Sequence, residues 1–319
     1  MFNYWGILFA ILACACWGLS MICPVLAPEF SAAEITLGRY FFYGVLSLCF
    51  WFIHLFKHRR LHPWNVWKMA LIFALTGNVL YYGLEVIGVK MIGPSMVALM
   101  FAINPICVTL YGNLKSKEVP YSLIAIPILL VGIGILFVHV NDLKIDPGMS
   151  QTQFVTGVFF TLASIAMWAW YAVHNAQYLK TQKDLNMADF NMIIGVWCLL
   201  LSAISMLALG FMPFEPMTIM SPDLTSAQIM WFLMATVLLG IFGSYFGTFF
   251  WHRASAMLPV TIAGQIIVAE TCSGLLYTYL HQQRLPRWYE LIGFVLVVGG
   301  VLLSIRKIQQ HQSRELAKA

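Results

Sequence analysis

The segment "GQIIVAETCSGLLY", residues 264–277, is apolar chain with one carboxylate, Glu270, in its middle. A carboxylate in such surroundings can hold the amino or cationic group of a small molecule, or take up and release a proton. Asn104, also near the middle of an apolar run, offers an amide. More polar and aromatic side chains recur at helical spacing: Asn78, Tyr82 and Glu85 share one face, and Trp168, Tyr171 and Asn175 another, with His174 beside the second. Trp17 with Ser20 one turn on, Tyr245 and His252 extend the set, whereas Gln265 lies about 140° round a helix from Glu270 and faces elsewhere. Aromatic faces attract organic cations, and amides and carboxylates orient polar head groups.

The elements that must position these groups follow from composition. Of 319 residues, 61% are hydrophobic and 10% charged, too few polar ones to coat a soluble domain. Apolar runs of about 20 residues recur, each able to cross about 30 Å of hydrocarbon as a helix. Ten such runs are expected, at about 5–27, 33–56, 68–88, 93–113, 120–140, 154–179, 190–210, 228–251, 259–281 and 288–306. In lipid the backbone must satisfy its own hydrogen bonds, and the alternation of barrel strands is missing, so the fold class is an all-α integral membrane protein. The first run lacks a basic leading region and is too long for a cleavable signal, so it is read as a span.

With the N-terminus in the cytoplasm, inner loops and tail hold thirteen Lys and Arg residues and the outer loops four (Lys90, Lys144, Arg284, Arg287). That bias puts both termini on the cytoplasmic side. No folded basic face suggests a nucleic-acid partner. The seven cysteines lie within or at the ends of spans and read as small packing residues. Cys14 and Cys16 point about 200° apart on a helix, so no metal site is expected from them.

The chain repeats itself. At an offset of 151, Gly6, Phe9, Ala15 and Trp17 match Gly157, Phe160, Ala166 and Trp168; at 166, Leu110, Tyr111, Leu114, Pro120, Gly134 and Leu136 match Leu276, Tyr277, Leu280, Pro286, Gly300 and Leu302. The drift implies extra residues in the second half, some in the loop at 211–227. The expected organisation is two five-helix repeats, 1–147 and 148–306, joined at the polar stretch 141–153 and followed by a tail, 307–319. Five spans is an odd number, so the second repeat is inverted. Inverted repeats are a transporter architecture with the site at the membrane midplane. The offset of 166 pairs Glu270 with Asn104, so the two should face one another.

On "CACWG" in the first span, Arg39, "INPICVTLYGNLKSKE", "MWAWYAVHN", "QIIVAET" and "VVGGVLL", the chain resembles the ten-span drug/metabolite transporter superfamily, in its branch with a tandem EamA-type repeat. The resemblance covers nearly every span and implies metabolite export, with amino acids among the cargo. Two departures stand out: Thr271 follows Glu270 where the family often has Pro, and Arg284 falls where the first repeat has Glu118. They leave the fold intact and withhold the substrate of any one relative.

The function expected is secondary transport, in the export direction, of small organic metabolites such as amino acids by alternating access. The alternative is a proton-coupled exporter of organic cations or drugs, with Glu270 as the coupling carboxylate. Motifs of metalloproteases, serine hydrolases and P-loop enzymes are missing, and neither enzyme activity nor a cofactor is expected. Substrate-binding candidates are Trp17, Asn78, Tyr82, Asn104, Trp168, Tyr171, Asn175, Tyr245 and Glu270. Glu270 has a structural reading too, tying its span to Arg39 or Asn104. Arg39 is read as reaching the headgroups or pairing with Glu34 or Glu29, in preference to contacting the carboxylate of an amino-acid substrate. The Gly-rich stretches of spans five, eight and ten are read as close helix contacts. The partners are a small-molecule substrate and membrane lipid, with a homodimer left open; the expected location is a cell inner membrane.

Overall fold

Chain this apolar has one way to bury its backbone without water, and helices follow from end to end. A computed structural model describes residues 4–58, 62–139, 149–182, 184–211 and 218–318. Among these, nine helical spans are long and apolar enough to cross a membrane: Tyr4–Leu26, Ala33–Lys57, Trp64–Ile92, Met96–Ser116, Gln151–Thr181, Met187–Leu207, Ser226–Met257, Val260–His281 and Trp288–His311. A shorter apolar helix, Tyr121–Phe137, lies fifth in order, making ten. The described residues contain no strand. The protein is an all-α, multi-pass membrane protein. Residues 141–148 of the expected joint and 212–217 of the longer loop lie outside the described residues.

Local chemistry sets the ends. Pro63 and Pro259 precede spans three and nine in extended conformations that helices do not propagate. The Ser150 side chain accepts from the Gln153 amide at the start of span six. Thr225 and Gln228 form a reciprocal capping box at span eight. Spans three and four are joined at Gly93, whose φ of 83° a side chain would strain, and Pro94 opens the next helix.

Several spans are irregular at their centres. Span three passes through a π-helical segment, Leu75–Val79, and span eight through another, Leu239–Phe246. Span one is interrupted at Gly18, span four between Phe101 and Asn104, and span nine at Ile267. Irregular backbone at membrane depth is tolerated where protein or a water-filled cavity surrounds it.

The packing partners obey one scheme. Spans two and seven, four and nine, and five and ten pack as pairs, and span three lies on six as eight lies on one. Small residues set the closest approaches. A Cβ on Gly134 would fall 2.7 Å from the Gly293 carbonyl oxygen, and one on Gly300 2.9 Å from that of Pro127, so glycine joins spans five and ten as expected. Gly132 and Gly299 have room, and need not be glycine for this contact. Gly240 meets the Arg39 carbonyl in the same way, drawing span eight onto span two.

Ten spans leave both ends of the chain on one face, called the tail face here. Among the described residues it carries 62–63, 117–120, 184–186 and 258–259. Glu118 ties it together: its carboxylate accepts from the amides of Val260 and Thr261, both at 2.8 Å, and from the Thr261 hydroxyl at 2.6 Å. A residue from the first half thus caps the first helix of span nine. On the opposite face, Arg284 donates from two nitrogens to the two oxygens of Glu290, each at 2.9 Å.

Candidate functional site

The break in span nine fixes the position of Glu270. The helix restarts at Val268, which puts Glu270 in its first turn, with its amide bonded to the Ile267 carbonyl at 2.9 Å. The break strands carbonyls that a continuous helix would satisfy. The Cys14 thiol reaches those of Ile266 and Ile267 at 3.5 and 3.8 Å, so this cysteine does more than fill space. An acid at a helix N-terminus gains about 0.3–1 kcal/mol from the aligned peptide dipoles. Placing an ionisable group at membrane depth costs at least about 3 kcal/mol. The helix end therefore cannot account for Glu270 alone.

What surrounds Glu270 supplies the rest. Arg39 of span two and Glu85 of span three lie within electrostatic range of it and of each other, and Tyr81 and Tyr82 lie within range of Arg39. Arg39 does not reach for headgroups, nor does it pair with Glu34 or Glu29, contrary to the sequence expectation. It is 9% exposed, and its Nε donates to Ser244 Oγ at 2.7 Å in the π-helical segment of span eight. Glu34 is engaged by Ser31 and the Ile219 amide, and Glu29 by Gln228. The two acids near the end of the helix bind loops, which leaves the arginine to turn inward.

Glu85 and Glu270 are enclosed by protein yet retain accessible surface, as do Tyr81, Tyr82 and residues 269–273. All seven residues of Val260–Ile266, the tail-side part of span nine, are buried. The residues of span nine that retain accessible surface, 269–273, thus lie on the side of the break away from the tail face.

An aromatic layer closes the other direction. Trp17 and Trp168, the repeat-matched pair, meet edge to face at 5.8 Å, and Trp251 lies 5.3 and 6.1 Å from them. Tyr171 continues the layer at 6.2 Å from Trp168, then Phe73 at 5.7 Å from Tyr171. Trp251 was missed by sequence reasoning, because a tryptophan near the end of a span reads as an interfacial anchor. Below this layer Asn175 is fully buried with neither side-chain atom hydrogen-bonded, and so are both ring nitrogens of His252.

The remaining candidates divide. Asn104 is 8% exposed and its Oδ1 has no partner. Gly264 lies against Thr109 and Gly112 against Val260, so spans four and nine run antiparallel in a register that brings Asn104 alongside the break at Ile267. Asn78 is 5% exposed; its Nδ2 donates to the Phe73 carbonyl at 3.4 Å and its backbone carbonyl accepts from the Tyr40 hydroxyl at 3.1 Å. The π-helical segment that holds Asn78 offsets it from the face of Tyr82 and Glu85. Tyr245 stands apart from the tryptophans, with its ring 5.3 Å from Phe50 and 6.3 Å from Tyr43. Gln265 is buried with its amide unpartnered. His174 stacks on Trp170 at 4.2 Å.

Charged and polar side chains beside broken helices within a ten-span bundle suit the passage of small molecules, and comparison with known proteins points to that class, the small-molecule membrane transporters. Residues 4–140 match the EamA-like transporter family. The chain is homologous to the inner membrane protein YtfF of Escherichia coli (strain K12), 28% identical over 309 residues that cover 94% of this chain and 95% of that one. A crystal structure 18% identical in sequence superposes with a TM-score of 0.73 over 96% of this chain and 98% of the other, and shares the fold. Similarity to a transporter family over residues 4–140 supports a membrane transporter of small molecules.

Proposed function

We propose that the protein is a secondary transporter that exports zwitterionic metabolites of the amino-acid type by alternating access. One observation carries this reading: a guanidinium, Arg39, and two carboxylates, Glu85 and Glu270, lie within electrostatic range of one another among membrane-spanning helices, and we infer that they line one cleft. Ion pairs within a bilayer exact desolvation from both partners, and packing alone does not require three charges together. A substrate with a carboxylate and an ammonium answers both signs, and the adjacent tyrosines suit its body.

The access route supports the same reading. We infer that this cleft opens towards the face away from the tail, where residues 269–273 retain accessible surface, and that the contacting Trp17, Trp168 and Trp251 close it towards the other. Asn175 and Gln265, on the tail side, and Asn104, beside the break, hold amide atoms with no partner. A buried polar group without a partner costs about 1–3 kcal/mol. These amides gain water or substrate when the layer parts, so they belong to a second conformation. The common packing scheme of the two halves supports their origin as inverted repeats, 1–147 and 148–306, that exchange roles between the two states. The location we assign is an inner membrane, as in the YtfF relative, with both termini cytoplasmic.

A second reading, proton-coupled export of organic cations, is favoured by the second carboxylate. Glu85 and Glu270 exceed the single charge of Arg39 by one, and a proton or a cationic substrate balances the site. Counterflow in proteoliposomes separates the two. Vesicles are preloaded with an aromatic, aliphatic or cationic amino acid or with an organic cation, and uptake of labelled tracer is followed. Exchange of zwitterionic amino acids is the expected result; exchange of organic cations alone selects the second reading, and silence across the panel of folded protein rejects both.

A further inference from the structure

Far from the cleft, three side chains that the sequence leaves unconnected converge at the tail face. His54 lies near the end of span two, His62 in the connection that follows, and Asp189 in the first turn of span seven. His54 Nδ1 is 3.3 Å from Asp189 Oδ1, and His62 Nε2 is 3.3 Å from Asp189 Oδ2. The two imidazoles stack, with centroids 5.4 Å apart and planes at 26°. One ligand atom from each residue falls within 4.8 Å of the others, and among the described residues this is the group that meets the requirement.

The spacing carries the chemistry. Imidazole nitrogens and carboxylate oxygens bind zinc at about 2.0–2.2 Å, and the edge of a tetrahedron of that size is about 3.3–3.6 Å. Each imidazole nitrogen stands at such a separation from one of the two Asp189 oxygens, and with one atom taken from each residue the three lie within 4.8 Å, so a small closing movement brings them onto one ion. A second observation points the same way. His62 Nε2 is buried, and although it lies near Asp189 it makes no hydrogen bond. A nitrogen at hydrogen-bond range without hydrogen-bond geometry is placed as two ligands of one ion are placed. The side chains are 17–20% exposed, which leaves a route for the ion and a position for water as a fourth ligand. Two histidines and a carboxylate suit a divalent transition ion, Zn²⁺ above all.

We propose that His54, His62 and Asp189 form a three-ligand binding site for a divalent transition metal of the Zn²⁺ type. The ion clamps the end of span two and the following connection to the start of span seven. Those two spans pack as a pair, one from each half, so the bound metal stabilises the conformation in which the tail face is closed. The site does not depend on what the central cleft carries.

Tag-free, full-length protein in detergent, stripped with chelator, is titrated with Co²⁺, whose visible d–d absorption reports tetrahedral coordination. The expected result is one Co²⁺ per chain, displaced by Zn²⁺, and a melting temperature that rises with Zn²⁺. His62→Gln and Asp189→Asn should each weaken uptake at least tenfold and remove the Zn²⁺-dependent rise. His54→Gln does the same through a different element, and metal-free melting shows which variants remain folded. Absence of Co²⁺ uptake by wild-type protein, or uptake unchanged in folded variants, overturns the site and leaves only stacked imidazoles beside an aspartate.

Discussion

Glu270 and Arg39 show how a residue's role depends on what occupies its rivals. Both are visible in the sequence as charges within apolar chain, but only the fold reveals that Glu34 and Glu29 are committed elsewhere and that Arg39 is turned towards the cleft. Arg39→Gln should reduce exchange of a zwitterionic substrate at least tenfold in the counterflow assay while size-exclusion elution is unchanged. Glu270→Gln should abolish it to a similar degree. Were Glu270 only a helix-end acid, its loss would cost about 1 kcal/mol of stability and exchange would persist. Asn175 gives the converse case. Its amide is buried without partners in this conformation, so Asn175→Ala should leave the melting temperature unchanged or raised and still slow exchange. A lowered melting temperature with normal exchange would make Asn175 a packing residue.

At the scale of the helix, hydropathy predicts where spans lie because lipid imposes one length on all of them. It does not predict where they break. The interruption at Ile267 and the π-helical segments Leu75–Val79 and Leu239–Phe246 have no proline within them and depend on groups brought from other spans, such as the Cys14 thiol. Glu118 was legible as part of a motif, but its role is capping a helix 142 residues away. Glu118→Gln should lower stability by about 1–2 kcal/mol, measured as a fall in thermal midpoint in detergent, because a charge-assisted cap becomes a neutral one. Glycines divide by geometry. Gly300→Val should destabilise the pairing of spans five and ten by about 1–3 kcal/mol, since Pro127 and Val131 already occupy the space. Gly299→Val, one position back, meets open space and should have little effect on the same midpoint. Equal losses in both would mean that helix contact does not account for these glycines.

The two halves of the whole molecule answer one another. Sequence matches from Trp17 with Trp168 to Pro120 with Pro286 suggest duplication, and the spans that pair in space are those that such a duplication would relate. The meeting of Trp17 and Trp168 was not legible, because sequence alone relates equivalent residues without putting them in contact; here they close the same barrier from two sides. In this conformation residues 269–273 are accessible while the layer of tryptophans and the amides beyond it are not. Alternating access requires a second conformation in which that order is reversed.

Paired thiol accessibility tests that requirement most directly. On a cysteine-free background in oriented membranes, Thr271→Cys reports the cleft and Asn175→Cys the region beyond the tryptophan layer, each treated with a membrane-impermeant reagent from either side. Position 271 should react only from the face away from the tail and position 175 only from the tail face, with a transported substrate shifting the two rates in opposite directions. Simultaneous access to one position from both sides, or rates that an exchanging substrate leaves unmoved, would contradict a transporter that works by alternating access.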